Sequence, residues 1–354
     1  MEPFIPLADP QITHAEIANV SDALSRNELS WRGDYVGRFE GALAKYLGSP
    51  TLTTSSGMGA LMVALHSLGI RHGDEVIVPA LTFPGVASAV LAVGATPVLC
   101  DISSQTWGLT IETVERAVTR KTAAIIQVHS YGLLAEDCSG LDVPVIEDAC
   151  EAFGMVWPRV SSEYTVFSFY ANKVITTGEG GAICGGDLSK AFAWRNGGFD
   201  EKYCCKVPGL NYRMGNLQAA VGLGQMDRVR ELVGARLDNA KRYAQELPGK
   251  GRWLFCAQVP DPAAAEVALA IHNIESRRVF IPLHIQPAFW QRGPFPVAEW
   301  VWTNHIALPT GPHLTDDGFR RICRIIKGLA KGTRDGDHEL CGAAGSGQQL
   351  AAPG

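Results

Sequence analysis

Three short stretches of the chain carry side chains whose types and order could do chemistry. The first is Thr54-Ser55-Ser56-Gly57-Met58-Gly59, which runs into Leu61, Met62, Leu65 and Leu68 at helical spacing. Free backbone N–H groups and the helix dipole make a helix start attractive to an anion, and glycine lets the anion come close. The second is Val145-Ile146-Glu147-Asp148, an apolar run that ends in two carboxylates. The third is Ser168-Phe169-Tyr170-Ala171-Asn172-Lys173, with Thr176-Thr177-Gly178-Glu179-Gly180-Gly181 behind it. Taken singly, each has a plain structural explanation: an eased helix start, a helix cap, a solvated lysine.

Taken together, they are the groups that pyridoxal 5'-phosphate (PLP) requires. The helix start would hold the phosphate, and the lysine would form a Schiff base with the aldehyde. The carboxylate would keep the pyridine nitrogen protonated so that the ring accepts electron density. Free lysine titrates at about 10.4, so such a site must favour the neutral amine near pH 7.

These stretches need a scaffold that brings them together. Short β-branched runs recur at Glu75–Val78, Thr96–Cys100, Ala123–Val128, Val143–Ile146 and Tyr164–Phe169. Lacking clean polar alternation, they suit strands buried on both faces. Helical patterns lie between them, at Gly59–Leu68 and at Pro84–Val93, where proline suits a first turn. Strand and helix in series predict an α/β fold with a mostly parallel sheet covered on both faces, with ligands at the carboxyl ends of the strands. Val221–Glu246 reads as one long helix leading to a smaller α+β unit, with a strand at Val279–Pro282 and a helix at Asp316–Lys331. The expected division is a large domain over 1–235, a small one over 236–331 and a tail over 332–354. Gly, Ala, Ser and Gln dominate the tail, which predicts disorder.

The chain has 354 residues, 46% of them hydrophobic, and a net charge of -5 from 31 Lys+Arg against 36 Asp+Glu. That balance gives no basic field, so nucleic acid is not an expected partner. No apolar stretch reaches the roughly 20 residues of a membrane span. The start, Met1-Glu2-Pro3-Phe4, lacks the basic and apolar run of a secretory signal, and a cytoplasmic protein is expected. Nine cysteines, an odd number with no Cys-x-x-Cys, predict reduced thiols and no metal site. The phosphate-loop, dinucleotide and zinc-helix patterns are all missing.

The sequence resembles the sugar aminotransferases of the DegT/DnrJ/EryC1/StrS family, a branch of the fold-type-I PLP enzymes. The resemblance runs from about Ile5 to Gly328. It is carried by Arg38-Phe39-Glu40, Gly73-Asp74-Glu75-Val76-Ile77-Val78-Pro79, Gly94-Ala95-Thr96-Pro97-Val98, Tyr131-Gly132, Ile146-Glu147-Asp148-Ala149, Asn172-Lys173 with Thr177-Gly178-Glu179-Gly180-Gly181, Asn211-Tyr212-Arg213-Met214 and Pro282-Leu283-His284. The lysine segment looks most like the perosamine-synthase type, which aminates a 4-keto-6-deoxy nucleotide sugar. The resemblance implies a mixed seven-stranded sheet and PLP as cofactor. It makes Lys173 the Schiff-base lysine and proton shuttle, and Asp148 the partner of the pyridine nitrogen. Phe83 would stack on the ring, and Gly57, Met58 and Ser168 would line the phosphate site. Glu151 would lie near the phenolic oxygen. Asn211 would reach the phosphate of a neighbouring subunit, so a homodimer with shared sites is implied. Tyr170, Arg213 and His284 are expected around the substrate.

The implied reaction is transamination, with L-glutamate as donor and a keto sugar, nucleotide-linked, as acceptor. A cyclitol acceptor in antibiotic assembly and a catalytically retired binding or regulatory protein are the alternatives. Dehydrating relatives carry histidine at the lysine position, unlike Lys173. Two departures stand at the phosphate site. Met58 replaces the family's threonine and removes a hydroxyl donor worth about 1.5–3 kcal/mol. Gly59 replaces an alanine, which weakens the helix start by roughly 0.5–1 kcal/mol. The stretch from Phe255 to Ile274 is also short for the family, which bears on the substrate pocket.

Overall fold

The computed structural model describes residues 2–159, 161–201 and 203–336. Helices α1 (His14–Ser25) and α2 (Asp34–Leu47) come first. Thr13 and Glu16 close a capping box on α1, and Gly48 ends α2 in the left-handed conformation. Then follow β1 (Thr51–Thr54), α3 (Gly57–Ser67), β2 (Glu75–Pro79), α4 (Gly85–Ala92), β3 (Thr96–Cys100), α5 (Ile111–Glu115), β4 (Thr122–Val128), β5 (Val145–Asp148), β6 (Tyr164–Ser168) and β7 (Gly181–Cys184).

These seven strands form one mixed sheet in the order β1-β7-β6-β5-β4-β2-β3. The pairs from β3 to β6 are parallel, while β7 is antiparallel to both of its neighbours. The apolar runs that predict buried strands fill its centre: Ile77, Ile125, Ile146, Val166 and Ile183 are fully enclosed. β5 starts at Val145 rather than Val143, since Pro144 has no N–H to give the ladder, although its carbonyl still accepts from Ile125. The reversal of β7 brings Gly181 against both Thr54 and Ser168. A Cβ on Gly181 would sit 2.6 Å from the Ser56 carbonyl group, so the glycine is what lets β7 lie against the start of α3.

Helix α6 (Leu188–Arg195) and a hairpin of β8 (Phe199–Glu201) and β9 (Cys204–Cys205) lead to α7 (Asn216–Met226) and α8 (Val229–Glu246). The single helix expected over Val221–Glu246 is therefore two. The break has a visible cause. The Arg228 backbone leaves the helical region (φ −115, ψ 12), and its guanidinium is held by Glu16 Oε1 at 2.9 Å and the Gln11 carbonyl at 2.7 Å. Helix α8 runs unbroken across position 235/236.

A four-stranded antiparallel sheet follows, in the order β10-β11-β13-β12, with β10 (Gly249–Lys250), β11 (Phe255–Gln258), β12 (Arg277–Arg278) and β13 (His305–Leu308). Around it stand α9 (Pro262–Ile271), α10 (Pro296–Asn304) and α11 (Asp316–Gly336). Tyr243, Phe255, Leu308 and Phe319 share its core with Ile5, whose backbone bridges to Ile274. The strand expected at Val279–Pro282 is not formed there: the pairing is made just before it, by Arg277–Arg278. After it the chain leaves the sheet and docks on the first one: Leu283 N–H donates to the Ala80 carbonyl at 2.7 Å. Helix α11 continues to Gly336, so the first residues of the expected tail are helical. Residues 337–354, where the rest of that expectation falls, lie outside the described residues. Among the described residues, no helix is long and apolar enough to cross a membrane and eight cysteines are free.

Glu16 makes the α1–α7 contact sensitive to acid. Its side chain is buried and also accepts from Gln225 Nε2 at 2.7 Å. Burial raises the carboxyl, but hydrogen bonds from Thr13 and Arg228 outweigh it and bring Glu16 down to about 2. A depressed carboxyl contributes stability that is present above its unfolded value, about 4.3, and lost as pH falls toward 2. Urea denaturation across that window should show Glu16→Gln less stable at neutral pH and less steeply pH-dependent than the natural chain.

Candidate active site

The carboxyl ends of β4, β5 and β6 and the start of α3 face a cavity of about 410 Å³. Gly57, Met58, Phe83, Asp148, Glu151, Ser168, Tyr170 and Lys173 all line it. Three stretches distant in sequence thus converge on one space, as the strand-end rule for parallel sheets demands.

Each side of the cavity is built by local sequence. Ser56 caps α3, its hydroxyl accepting from Gly59 N–H at 3.0 Å. The amides of Gly57 and Met58 belong to the first turn and have no intrahelical acceptor. A Cβ on Gly57 would stand 2.8 Å from Cys150 Sγ and 2.9 Å from Ser168 Cβ, so glycine keeps the cradle open. Gly59 has a local reason too: a Cβ there would meet the Tyr212 ring at 3.2 Å. Asp148 ends β5, and its Oδ1 accepts from Cys150 N–H at 2.9 Å. Behind the strand ends, His129 Nδ1 accepts from Ala135 N–H at 3.1 Å, and Nε2 faces Glu147 Oε1 at 3.4 Å. Phe83 is 58% exposed, on the cavity rim and not in the core.

Lys173 is held at both its main chain and its amine. The Lys173 carbonyl accepts from Arg236 Nη2 at 3.2 Å, and the carbonyl of Asn172 accepts from Trp253 Nε1 at 3.0 Å. Its Nζ lies 3.8 Å from Glu151 Oε1 and 4.0 Å from the centre of the Trp253 ring. Burial pushes the Lys173 amine below the ordinary lysine range; Glu151 pulls it back up, and Arg277 adds to the depression. Burial likewise raises Asp148 and Glu151, against the opposing charge of Lys173.

Three expected site residues stand elsewhere. His284 is buried outside the cavity lining, stacked on Phe295 at 4.3 Å with Nε2 3.0 Å from Glu299 Oε1. Glu299 and Phe295, not the cavity, occupy its ring. Arg213 lies over Trp31 at 5.6 Å, with Nη1 3.3 Å from Asn196 Oδ1. Asn211 is exposed and bridges through its backbone to Asn196. The sequence reading also missed groups that line the cavity: Cys150, Trp253, Arg277 and Phe280. Tyr131 ties that side together. Its N–H donates to Glu151 Oε2 at 2.7 Å, its hydroxyl accepts from Phe280 N–H at 3.1 Å, and its carbonyl accepts from Arg252 N–H at 2.7 Å. It does so at φ 53, a conformation costly for a tyrosine. The Tyr131-Gly132 pair in the sequence was the available signal.

An α/β scaffold with a lysine, a strand-end carboxylate and a helix start around one cavity defines a fold-type-I aminotransferase site. The profile of the DegT/DnrJ/EryC1/StrS aminotransferase family matches residues 10–327, and the chain belongs to that family. It is 34% identical to the GDP-perosamine synthase of Caulobacter vibrioides, over 92% of this chain and 98% of that protein. It is 32% identical to the GDP-perosamine synthase of Vibrio cholerae, again over 92% and 98%. Among solved structures, Spr1654 from Streptococcus pneumoniae in its PLP form superposes with a TM-score of 0.84 at 26% identity, covering 93% of this chain and 99% of that one.

The residues present fit PLP. The Gly57 cradle and its free amides suit a phosphate, and Glu151 Oε1 and Asn172 Oδ1 are buried acceptors that no hydrogen bond satisfies among the described residues. A depressed lysine supplies neutral amine at lower pH than an exposed one. When cofactor-free protein is mixed with PLP, the rate of covalent attachment should rise with pH and level off below about 10.4. A rate that climbs through that value would mean Lys173 titrates like a solvated lysine.

Proposed function

We propose that this protein is a PLP-dependent aminotransferase that moves an amino group from L-glutamate to a nucleotide-linked 4-keto-6-deoxy sugar, in the cytoplasm and as a homodimer. The observation that carries the reading is the convergence of Lys173, Asp148 and the Gly57 helix start on one cavity. The curated relatives named GDP-perosamine synthase support the sugar acceptor.

When bound, PLP supplies an aldehyde that bonds reversibly to amines and a ring that withdraws electrons from the carbon being deprotonated. The chain does the rest. Gly57 and Met58 amides and Ser168 hold the phosphate by backbone donors and the helix dipole. Asp148, enclosed and anionic against a protonated ring nitrogen, keeps that proton in place. Phe83, on the cavity rim, would cover one face of the ring. Lys173 would hold the aldehyde through its amine and, with that amine free, would carry a proton to or from the donor's α-carbon. Glu151, 3.8 Å from that amine, keeps it oriented. Asn211 is exposed and free to reach the phosphate of a second subunit. Met58 offers no hydroxyl, so the phosphate leans on main-chain donors.

The test is purified protein with PLP, L-glutamate and a panel of nucleotide-linked 4-keto sugars and keto cyclitols, read by 2-oxoglutarate release. A 4-keto-6-deoxy sugar nucleotide should be the preferred acceptor, and preference for a cyclitol would overturn that assignment. Lys173→Ala should lower turnover by at least about 10³-fold, combining loss of the anchor and the proton shuttle. Asp148→Asn should bind PLP yet lose about 10²-fold or more in the same assay.

A further inference from the structure

Trp253 presents a fixed aromatic face to a side chain that has to move. Its ring is buried, and its Nε1 donates to the Asn172 carbonyl at 3.0 Å. Its main chain is held as well: the N–H donates to the Tyr131 carbonyl at 3.1 Å, and the carbonyl accepts from Arg236 Nη1 at 3.4 Å and from the Thr310 hydroxyl. The ring stacks on that of Tyr131, with centres 6.1 Å apart and planes 26° from parallel. These contacts fix the plane of the indole. Lys173 Nζ stands over it, 4.0 Å from its centre, within the range at which an ammonium is drawn to an indole face. Besides the ring, the charged or titratable groups facing the amine are Asp148, Cys150 and Glu151 at the end of β5 and Arg277 on β12. Glu151 Oε1, at 3.8 Å, is close enough to attract the amine but too far for a hydrogen bond.

Transamination requires the Lys173 amine to leave the cofactor and yet stay within reach of it. A lysine side chain is a flexible stem, so a free amine needs a resting place. A hydrogen-bond acceptor could provide one, but it would be left buried and unpaired each time the amine returned to the cofactor. An aromatic face attracts an ammonium without a directional bond, and no hydrogen bond is lost when the amine goes. Resting on the aminotransferase reading above, we propose that the fixed face of Trp253 is where the Lys173 ammonium stands whenever the amine is not bonded to the cofactor. Trp253 is then a positioning residue that acts through the lysine. Its bond to Asn172 serves the same end, because it sets the ring relative to the main chain next to Lys173.

The experiment follows the rate of PLP uptake against pH in the full-length protein freed of cofactor. Absorbance of lysine-bound cofactor is the readout, with the signal of Lys173→Ala subtracted, and the pH midpoint reports the proton affinity of the Lys173 amine. Natural protein, Trp253→Phe and Trp253→Leu are compared. The ring stabilises the ammonium, so its removal should lower the midpoint, by about 0.5–1 pH unit in Trp253→Leu and by less in Trp253→Phe, which keeps an aromatic face. A merely structural role has the opposite sign, because a loosened pocket admits water and raises the midpoint toward that of a solvated lysine. Growth on fluorinated tryptophan replaces all eight tryptophans at nearly constant shape and weakens the pull of their faces. The midpoint should then fall stepwise from mono- to difluorinated protein, which tests the same point should Trp253→Leu fail to fold. An unchanged or higher midpoint in Trp253→Leu, a Trp253→Phe midpoint as low as that of Trp253→Leu, or no response to fluorination would overturn the proposal. PLP uptake as fast in Lys173→Ala as in natural protein would overturn the aminotransferase reading, and this one with it.

Discussion

The structure turns on keeping one amine buried among carboxylates without leaving it permanently charged. Glu151 and Asp148 attract an ammonium on Lys173, and burial and the nearby Arg277 oppose it. Neither influence can be removed without loss. Without burial, Lys173 stays protonated at neutral pH and is no nucleophile. Without the carboxylates, no anion offsets the cost of burying the amine. The enclosing groups come from both sheets, so the balance exists only when the two are docked.

That docking runs through Tyr131 and Arg236. Tyr131 follows β4 in the first sheet, yet hydrogen-bonds to Phe280 and Arg252 beyond it and to Glu151 in the site. Arg236, on α8, bonds the carbonyls of Lys173 and Trp253. Burial brings its guanidinium down to about 10, which still leaves it charged near neutral pH. The left-handed Tyr131 is a local cost borne by the surrounding contacts. The same residues that join the two sheets therefore also hold the lysine's main chain and its carboxylate neighbour.

Much of this was legible in the sequence because it is local. Asp148 ends an apolar strand, Lys173 follows another, and Gly57 opens a helix, so strand-end logic puts all three in one place. Trp253, Arg277 and Phe280 were not legible. They reach the cavity through the long-range packing of a second sheet, and a Trp or an Arg in isolation reads as core or surface. The break between α7 and α8 was hidden for the same reason: Arg228 looks like an ordinary helix residue until Glu16, far away in sequence, captures it. His284 shows the reverse failure. Its motif suggested the pocket, but its ring stacks on Phe295 and its Nε2 meets Glu299, outside the cavity lining.

Borohydride reduction of the PLP-loaded protein, followed by peptide mass spectrometry, measures the central claim most directly. A single phosphopyridoxyl group is expected, on the peptide that carries Lys173. Label on another lysine, or none, would contradict it.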